Sequence, residues 1–502
     1  MTAQTASLST KRVNTAKKKD GFWIVNIFAL LFMFGFGYVV KPFGPVTAMG
    51  VNTIGVFLGV IIVSLFSNQL FYATLLGMSA LVFRGYFDTA SASSAFLGNQ
   101  TIIQLIMVTA ICGILEKEGT MKVLAKKLLT IEALKGKPTL LITTFFITTY
   151  FVSMFVGFVS TCIMMFSLFD SIREEAGYEK KDAFSKLMLL GIYISCMGTY
   201  ALPYVGIQML TIAIIRGSLT NYGLAFTDGT YLITNVIIYG VFLIIYSFCL
   251  STVFKCNLNP LKNYDFNNSV ELENISTVLN KRQIIPIVAF SVCIIYSLLD
   301  SMLPKGSPFH HTIFGFGIVW IWVVVVAVLS ILRVDGERFI DGQEVLKDNT
   351  MWNLIFLIGL FSILGNTMTD PKLGIEVWLV SLIGPLFGNL SFPLLLISAV
   401  LIVSIATQVL NGLPVVIATV AVIMPFTAAI ALKTGINVGV MGAIINICAG
   451  MAFLTYSGSI WASLILSRAE IDQKFIWSKG LMILGLFLIV ASGSGIVLSY
   501  VL

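Results

Sequence analysis

The residues best suited to chemistry in this sequence are small hydroxyls, amides and glycines embedded in apolar runs. Ser153, Gly157, Ser160 and Thr161 interrupt "SMFVGFVSTCIMMF" (153–166), and Asn411, Gly412 and Thr419 interrupt "NGLPVVIATVAVIM" (411–424). Two further runs are disturbed in the middle. "SCMGTYALPYVG" (195–206) carries Gly198 and Thr199, and "FLTYSGSIWAS" (453–463) carries Thr455, Ser457 and Ser459. No nucleophile–base pair, metal cluster or phosphate loop accompanies them, so the pattern excludes an enzyme. Glu116, Asp170, Asp300 and Glu376 all fall near the ends of apolar runs, which argues against a buried-carboxylate proton relay. Hydroxyls, amides and backbone N–H groups at a helix start can instead hold an anion, aided by the positive end of the helix dipole. Ser160, Thr161 and Thr419 would stand at such starts. For any one of them the competing role is a hydrogen bond to its own backbone or to a neighbouring helix.

The elements that position these residues follow from composition. The chain has 502 residues, 57% hydrophobic and only 11% charged, with a mean hydropathy of +0.95. A soluble domain carries about 25% charged residues, so this is an all-α polytopic membrane protein. Apolar runs near 21–40, 50–70, 72–87, 99–116, 184–206, 229–253, 283–303, 313–332, 350–366, 436–467 and 480–502 read as about eleven transmembrane helices. The run after the basic tail (1–20) is too long for a secretory signal and reads as the first span. The tail suits anionic lipid rather than nucleic acid. Cys112, Cys162, Cys196, Cys249, Cys256, Cys293 and Cys448 show no paired spacing, so neither disulfides nor zinc are expected. His310 and His311 have no third ligand in sight.

Two regions, 138–170 and 392–426, are too long for one helix and too interrupted for two spans. Both read as re-entrant hairpins that enter and leave on one side. Loop charge tests this. With both hairpins re-entrant, every Lys and Arg except Lys41, Arg84, Arg216, Lys305, Lys372 and Lys433 falls on the N-terminal side. Cytoplasmic loops carry the Lys/Arg excess, which puts the N-terminus in the cytoplasm and the C-terminus outside the cell (inner) membrane.

The chain also repeats. "NQTIIQLIMVTAICGILEKEG" from Asn99 pairs with "NTMWNLIFLIGLFSILGNTMTD" from Asn349; each leads to a hairpin and then to a disturbed helix. The expected organisation is scaffold helices (21–95), a first repeat (96–228), scaffold helices with a loop at 254–282 (229–348), and a second repeat (349–502). The hairpins open from opposite sides, so the repeat is inverted, the signature of secondary transporters whose site lies at the midplane. Gly157 permits a tight reversal, and Asn411-Gly412-Leu413-Pro414 is a stronger turn signal still.

With these motifs in place, the chain resembles the divalent anion:sodium symporters, the sodium-coupled dicarboxylate, citrate and sulfate carriers of the ion transporter superfamily. The similarity spans nearly the whole chain and is best from "FLGNQTIIQLIMVTAICGILEKEG" (Phe96) to "SMFVGFVSTCIMMF". It implies a homodimer, elevator-type alternating access and a Ser-Asn-Thr motif at each hairpin tip. Here the motif positions read Gly157-Phe158-Val159 and, depending on register, Val415-Val416-Ile417 or Asn411-Gly412-Leu413. The expected function is symport or exchange of a small di- or tricarboxylate or sulfate-like anion, with Ser160, Thr199, Asn411 and Thr455 as the candidates for a coupling sodium and no other cofactor. The alternatives are a superfamily permease for a different substrate, and a non-transporting scaffold or sensor with a decayed site.

Overall fold

The computed structural model describes residues 19–502 except 67–69, 205–207, 221, 265–274, 304–307, 316, 351, 353–354, 357–358, 361–362, 365–366, 368–369, 411, 457 and 460. Among the described residues the only strands are Arg333–Val334 and Glu337–Arg338, a two-residue ladder between helices. The rest of the regular structure is helical, as backbone in hydrocarbon must satisfy its own hydrogen bonds. Among the described residues, seven helices are long and apolar enough to cross a membrane: Gln100–Lys117, Pro138–Val156, Ala183–Tyr200, Asp228–Thr252, Lys281–Asp300, Phe392–Val409 and Gln473–Val501. Shorter apolar helices such as Trp23–Val39, Ala48–Val63 and Phe71–Phe83 cover further runs expected from the sequence. The run at 350–366 lies largely outside the described residues.

Helix boundaries sharpen the sequence reading in three places. In the run 184–206, helix Ala183–Ser195 tightens into a 3-10 turn, Cys196–Tyr200, and a further helix, Gln208–Thr220, lies beyond it. The run 436–467 divides into Gly439–Gly450 and Ala462–Leu466, with 451–456 outside any helix. Finally, the polar connection before each hairpin holds a helix, Thr120–Leu129 in the first repeat and Ile375–Phe387 in the second. Hydropathy passes over these two because one carries Lys122, Lys126 and Lys127, and the other is short and holds Pro385.

Ion pairs and loop hydrogen bonds sort into two groups, named here for the two helix ends that loop charge assigns to opposite sides. At the first end, Glu118 pairs with Arg282 (3.4 Å), Lys186 with Asp472 (2.6 Å), and Asp170 with both Arg173 (2.8 Å) and Arg468 (2.7 Å). Glu470 completes that cluster against the fully buried Arg173 at 3.3 Å. At the second end, Arg216 pairs with Asp228 (2.6 Å), the Thr47 amide donates to Leu373 O (3.1 Å), and the Asn437 amide donates to Ser499 O (3.0 Å). There Tyr222 also donates to Glu376, whose carboxyl burial raises to about 7. Every pair named joins residues that loop charge assigns to one side.

The same contacts place the hairpins. The first begins where Leu134 and Leu141 line a crevice with Tyr264 and ends in the Arg173 cluster, both at the first end. The second begins at Phe392, whose ring meets Tyr500 (6.4 Å), and ends at Thr434, three residues before the Asn437–Ser499 bond, both at the second end. Single cysteines replacing Lys135 and Asp182 should therefore react with an impermeant maleimide from one face, and one replacing Lys433 from the other. Opposite labelling of 135 and 182 would make the first hairpin a span.

Helix Asp228–Thr252 runs between the halves. It packs against Pro138–Val156, Gly439–Gly450 and Leu481–Val501. Its buried face presents Tyr231, Tyr239, Phe242 and Tyr246, so this contact is both large and hydrogen-bonding.

Candidate substrate site

The first hairpin reverses at one residue. Helix Pro138–Val156 ends and Phe158–Glu175 begins at Gly157, with φ +90° and ψ 170°. That region of backbone space is essentially restricted to glycine. One turn earlier, fully buried Ser153 donates to Tyr150 O (2.8 Å) and reaches Ser195 O on the broken helix (3.4 Å). The 3-10 segment lies so close that a Cβ at Gly198 would overlap the Tyr150 carbonyl oxygen and Ser153 Oγ.

The second hairpin repeats this arrangement with a different clamp. Its first arm, Phe392–Val409, carries Gln408 as the penultimate residue, and its second opens at Gly412. Gln408 is buried. Its Nε2 donates to Ser404 O (2.9 Å) and to Met451 O (2.8 Å), and its Oε1 accepts from the amides of Phe453 (3.2 Å) and Leu454 (3.1 Å). Thr455 donates to the Gln408 carbonyl. A Cβ at Gly458 would overlap Thr407 O, as one at Gly198 overlaps Tyr150 O. In both halves a glycine of the unwound segment sits against backbone carbonyls of a hairpin arm, Tyr150 in the first and Thr407 and Gln408 in the second. Gln408 thus satisfies the backbone freed where the second helix breaks, as irregular backbone at membrane depth requires. The sequence analysis did not single it out. Its only local signal is an amide three residues before the Asn-Gly turn.

Between the two clamps lies a buried polar network. Tyr150 donates to Asn235 Oδ1 (2.7 Å); Asn235 Nδ2 (3.0 Å) and Tyr231 (2.6 Å) both donate to Tyr200 O. Asn446 donates to the Tyr231 hydroxyl (2.9 Å), and Tyr193 donates to Ala452 O (3.1 Å). Hairpin, both broken helices and helix Asp228–Thr252 are joined through these bonds. Asn235, which looks like a packing residue in an uninterrupted helix, ties the first hairpin arm at Tyr150 to the carbonyl of Tyr200 on the broken helix. Aromatic rings close over the network: Phe158 stacks on Trp461 (5.7 Å, 20° between planes) and meets Tyr193 edge-on (5.1 Å).

The expected site residues divide accordingly. Ser153, Gly157, Thr199, Gly412, Thr455 and Ser459 lie at the tips or on the unwound segments facing them. Ser459 Oγ accepts from the Trp461 amide (3.2 Å), and Gly412 approaches Ala449 O, 2.9 Å from where a Cβ would lie. Thr161 is fully buried and its hydroxyl has no hydrogen-bond partner. Thr419 is buried two turns into the second arm. Ser160 is not brought to the cluster. It is exposed on the helix face shared with Ile163, opposite the buried face of Phe158, Cys162, Met165 and Phe169. Asn411 and Ser457 lie outside the described residues. Of the four residues expected to share a sodium, Asn411 lies outside the described residues, Ser160 is exposed, and the Thr455 hydroxyl donates to the Gln408 carbonyl and accepts from the Gly458 amide (3.3 Å). A cavity of about 280 Å³ at the first end, beside Lys117, Glu118, Arg282 and Arg338, stands apart from the tips.

Residues 21–441 match the family described as citrate transporter. The chain belongs to the citrate transporter family. As a citrate transporter family member it is a multi-pass membrane transporter rather than an enzyme. The crystal structure of the YdaH transporter from Alcanivorax borkumensis, described as having an unusual topology, is similar in fold. The two share a TM-score of 0.53 at 13% identity, over 82% of this chain and 88% of that one. Comparison with curated proteins gives no significant match. The family match agrees with the expected resemblance to citrate carriers, and the likeness to YdaH is one of fold.

Proposed function

We propose that this citrate transporter family member moves a small anion by elevator-type alternating access, as a symporter or exchanger, in a homodimer in the cell membrane with its N-terminus in the cytoplasm. The observation that carries this reading is the paired clamp. In each half an unwound helix segment lies against a hairpin arm through a glycine contact, and Phe158 of the first reversal meets Trp461 beside the second unwound segment. Dipoles and amides supply the counter-charge that buried cations would otherwise provide. Family membership makes citrate and related di- or tricarboxylates the first substrates to try, with sulfate beside them. Purified protein in liposomes should take up at least one of these labelled anions against empty liposomes. Failure across the panel would favour the non-transporting alternative.

Coupling is expected to depart from the sodium pattern. An under-coordinated cation in a low-dielectric site is costly; of the candidate hydroxyls, Ser160 is exposed and Thr455 is already bonded. Uptake should respond little to a sodium gradient at clamped membrane potential. A steep, sigmoidal sodium dependence would show that freed backbone carbonyls suffice as ligands. The same measurement under a pH gradient separates a proton-coupled carrier from an exchanger.

A further inference from the structure

The second arm of the first hairpin is tied to the second repeat at both of its ends. At the tip, Phe158 stacks on Trp461. Two turns on, the Arg468 guanidinium lies over the ring of Phe166, 4.9 Å from its centre. At the far end, Asp170 and Arg173 meet Arg468 and Glu470 in a closed ring of charge. Asp170 receives both guanidiniums, from Arg173 at 2.8 Å and from Arg468 at 2.7 Å. Glu470 also receives both, each at 3.3 Å. Phe158, Phe166, Asp170 and Arg173 share one side of helix Phe158–Glu175, so these contacts form a single seam about 20 Å long.

The two hairpins are fixed differently. Gln408 anchors the second beside its tip through four hydrogen bonds, and Lys433 is the only charged residue in that hairpin. In the first, Ser153 reaches the broken helix only at 3.4 Å, and it belongs to the first arm. The ion ring is the directional part of the seam along the second arm, because charge-assisted hydrogen bonds fix geometry more tightly than ring contacts do. Arg173 is fully buried, and an enclosed guanidinium is tolerable only while its carboxylates stay in place. Resting on the transport reading above, we propose that Asp170, Arg468 and Glu470 are positioning residues for substrate. They hold the second arm against the exit of the second broken helix, and so keep the Gly157 reversal in register with Trp461. The ring joins hairpin to second repeat rather than to the scaffold helices. Loosening it should therefore weaken substrate binding and leave the speed of translocation largely alone.

Uptake of labelled citrate, succinate and sulfate is measured over a concentration range in liposomes holding the full chain, with thermal melting beside it. Asp170→Asn leaves two guanidiniums on Glu470, and Arg468→Gln leaves two carboxylates on Arg173. Each should raise KM about tenfold with kcat within about twofold of the unmodified value. The double variant leaves the balanced pair Arg173–Glu470 and should bring KM back to within about threefold, since removing both partners costs less than removing one. Arg468→Lys keeps the charge but loses the planar fork that serves two carboxylates, and should fall between. Lys186→Gln breaks a neighbouring pair with the exposed Asp472 outside the seam, and should leave KM unchanged. The double and Arg468→Lys variants carry the test where a single variant does not fold. Lower melting and less active protein at unchanged KM would make the ring merely structural and overturn the proposal, leaving anion transport intact. So would a double variant whose KM rises by the product of the two single effects. Uptake of none of the three anions by the unmodified protein would remove the transport reading, and this proposal with it.

Discussion

Gln408→Ala should cost more than any other single truncation in the second half of the molecule, lowering uptake by about a hundredfold or more and destabilising the protein by several kcal/mol. The amide side chain serves four backbone groups: the carbonyls of Ser404 and Met451 and the amides of Phe453 and Leu454. Alanine leaves the last two donors and the Met451 acceptor buried with nothing in their place, at about 1–3 kcal/mol for each unsatisfied group. Interhelical hydrogen bonds in membranes average much less than this, because the separated helices find other partners. Here the partners belong to an unwound segment that has no intrahelical bond to fall back on, so the larger figure applies. Gln408→Glu keeps the acceptor oxygen for Phe453 and Leu454 and should be milder than alanine. Thermal melting in detergent and liposome uptake are read together. An alanine variant with unchanged melting and unchanged uptake would remove Gln408 from the clamp.

The second large effect is expected at the two glycines that mirror each other. Gly198→Ala places a methyl into the Tyr150 carbonyl, and Gly458→Ala places one into the Thr407 carbonyl. Neither obstacle is the end of a flexible side chain, so an arm of the hairpin must move away from the unwound segment. Overpacking of this kind costs about 1–3 kcal/mol and shifts backbone, and a shift at a hairpin tip alters the site as well as the fold. Each variant should lose at least about tenfold in uptake, the equivalent of 1.4 kcal/mol. Gly240→Ala is the control. It lies within helix Asp228–Thr252 with open space around the added methyl, where alanine is a better helix former by about 1 kcal/mol. Its uptake and melting should match or exceed those of the unmodified protein. Equal losses at Gly198, Gly458 and Gly240 would show that the close approach has no special role.

Much of this molecule is determined by residue types alone. Fifty-seven percent hydrophobic residues and few charges leave a membrane as the only workable solvent, and backbone satisfaction in hydrocarbon then dictates helices. The reversal at Gly157 was legible because this glycine sits beside a Ser-Thr pair in a run too long for one helix, where a tight turn needs the positive φ that glycine allows. The clustering of Lys and Arg on alternate connections also foreshadowed which ends of the helices meet, since ion pairs at each end of the bundle join loops assigned to the same side.

Tertiary structure decided the rest, for one physical reason. In a chain that is apolar on every face, periodicity no longer reveals which face is turned inward. Ser160 and Thr161 are neighbours of similar type, yet one is exposed beside Ile163 and the other is fully buried. Gln408 meets the segment it clamps across more than forty residues, and Tyr150 meets Asn235 across 85, so no local pattern announces either bond. Helix Gln208–Thr220 reads as a connection because Arg216 and Gln208 interrupt its hydropathy; only the pairing of Arg216 with Asp228 (2.6 Å) makes that charge tolerable at a helix end. The stacking of Phe158 on Trp461 likewise joins the residue after the first reversal to one beside the second unwound segment, far apart in the chain, so no local pattern announces it.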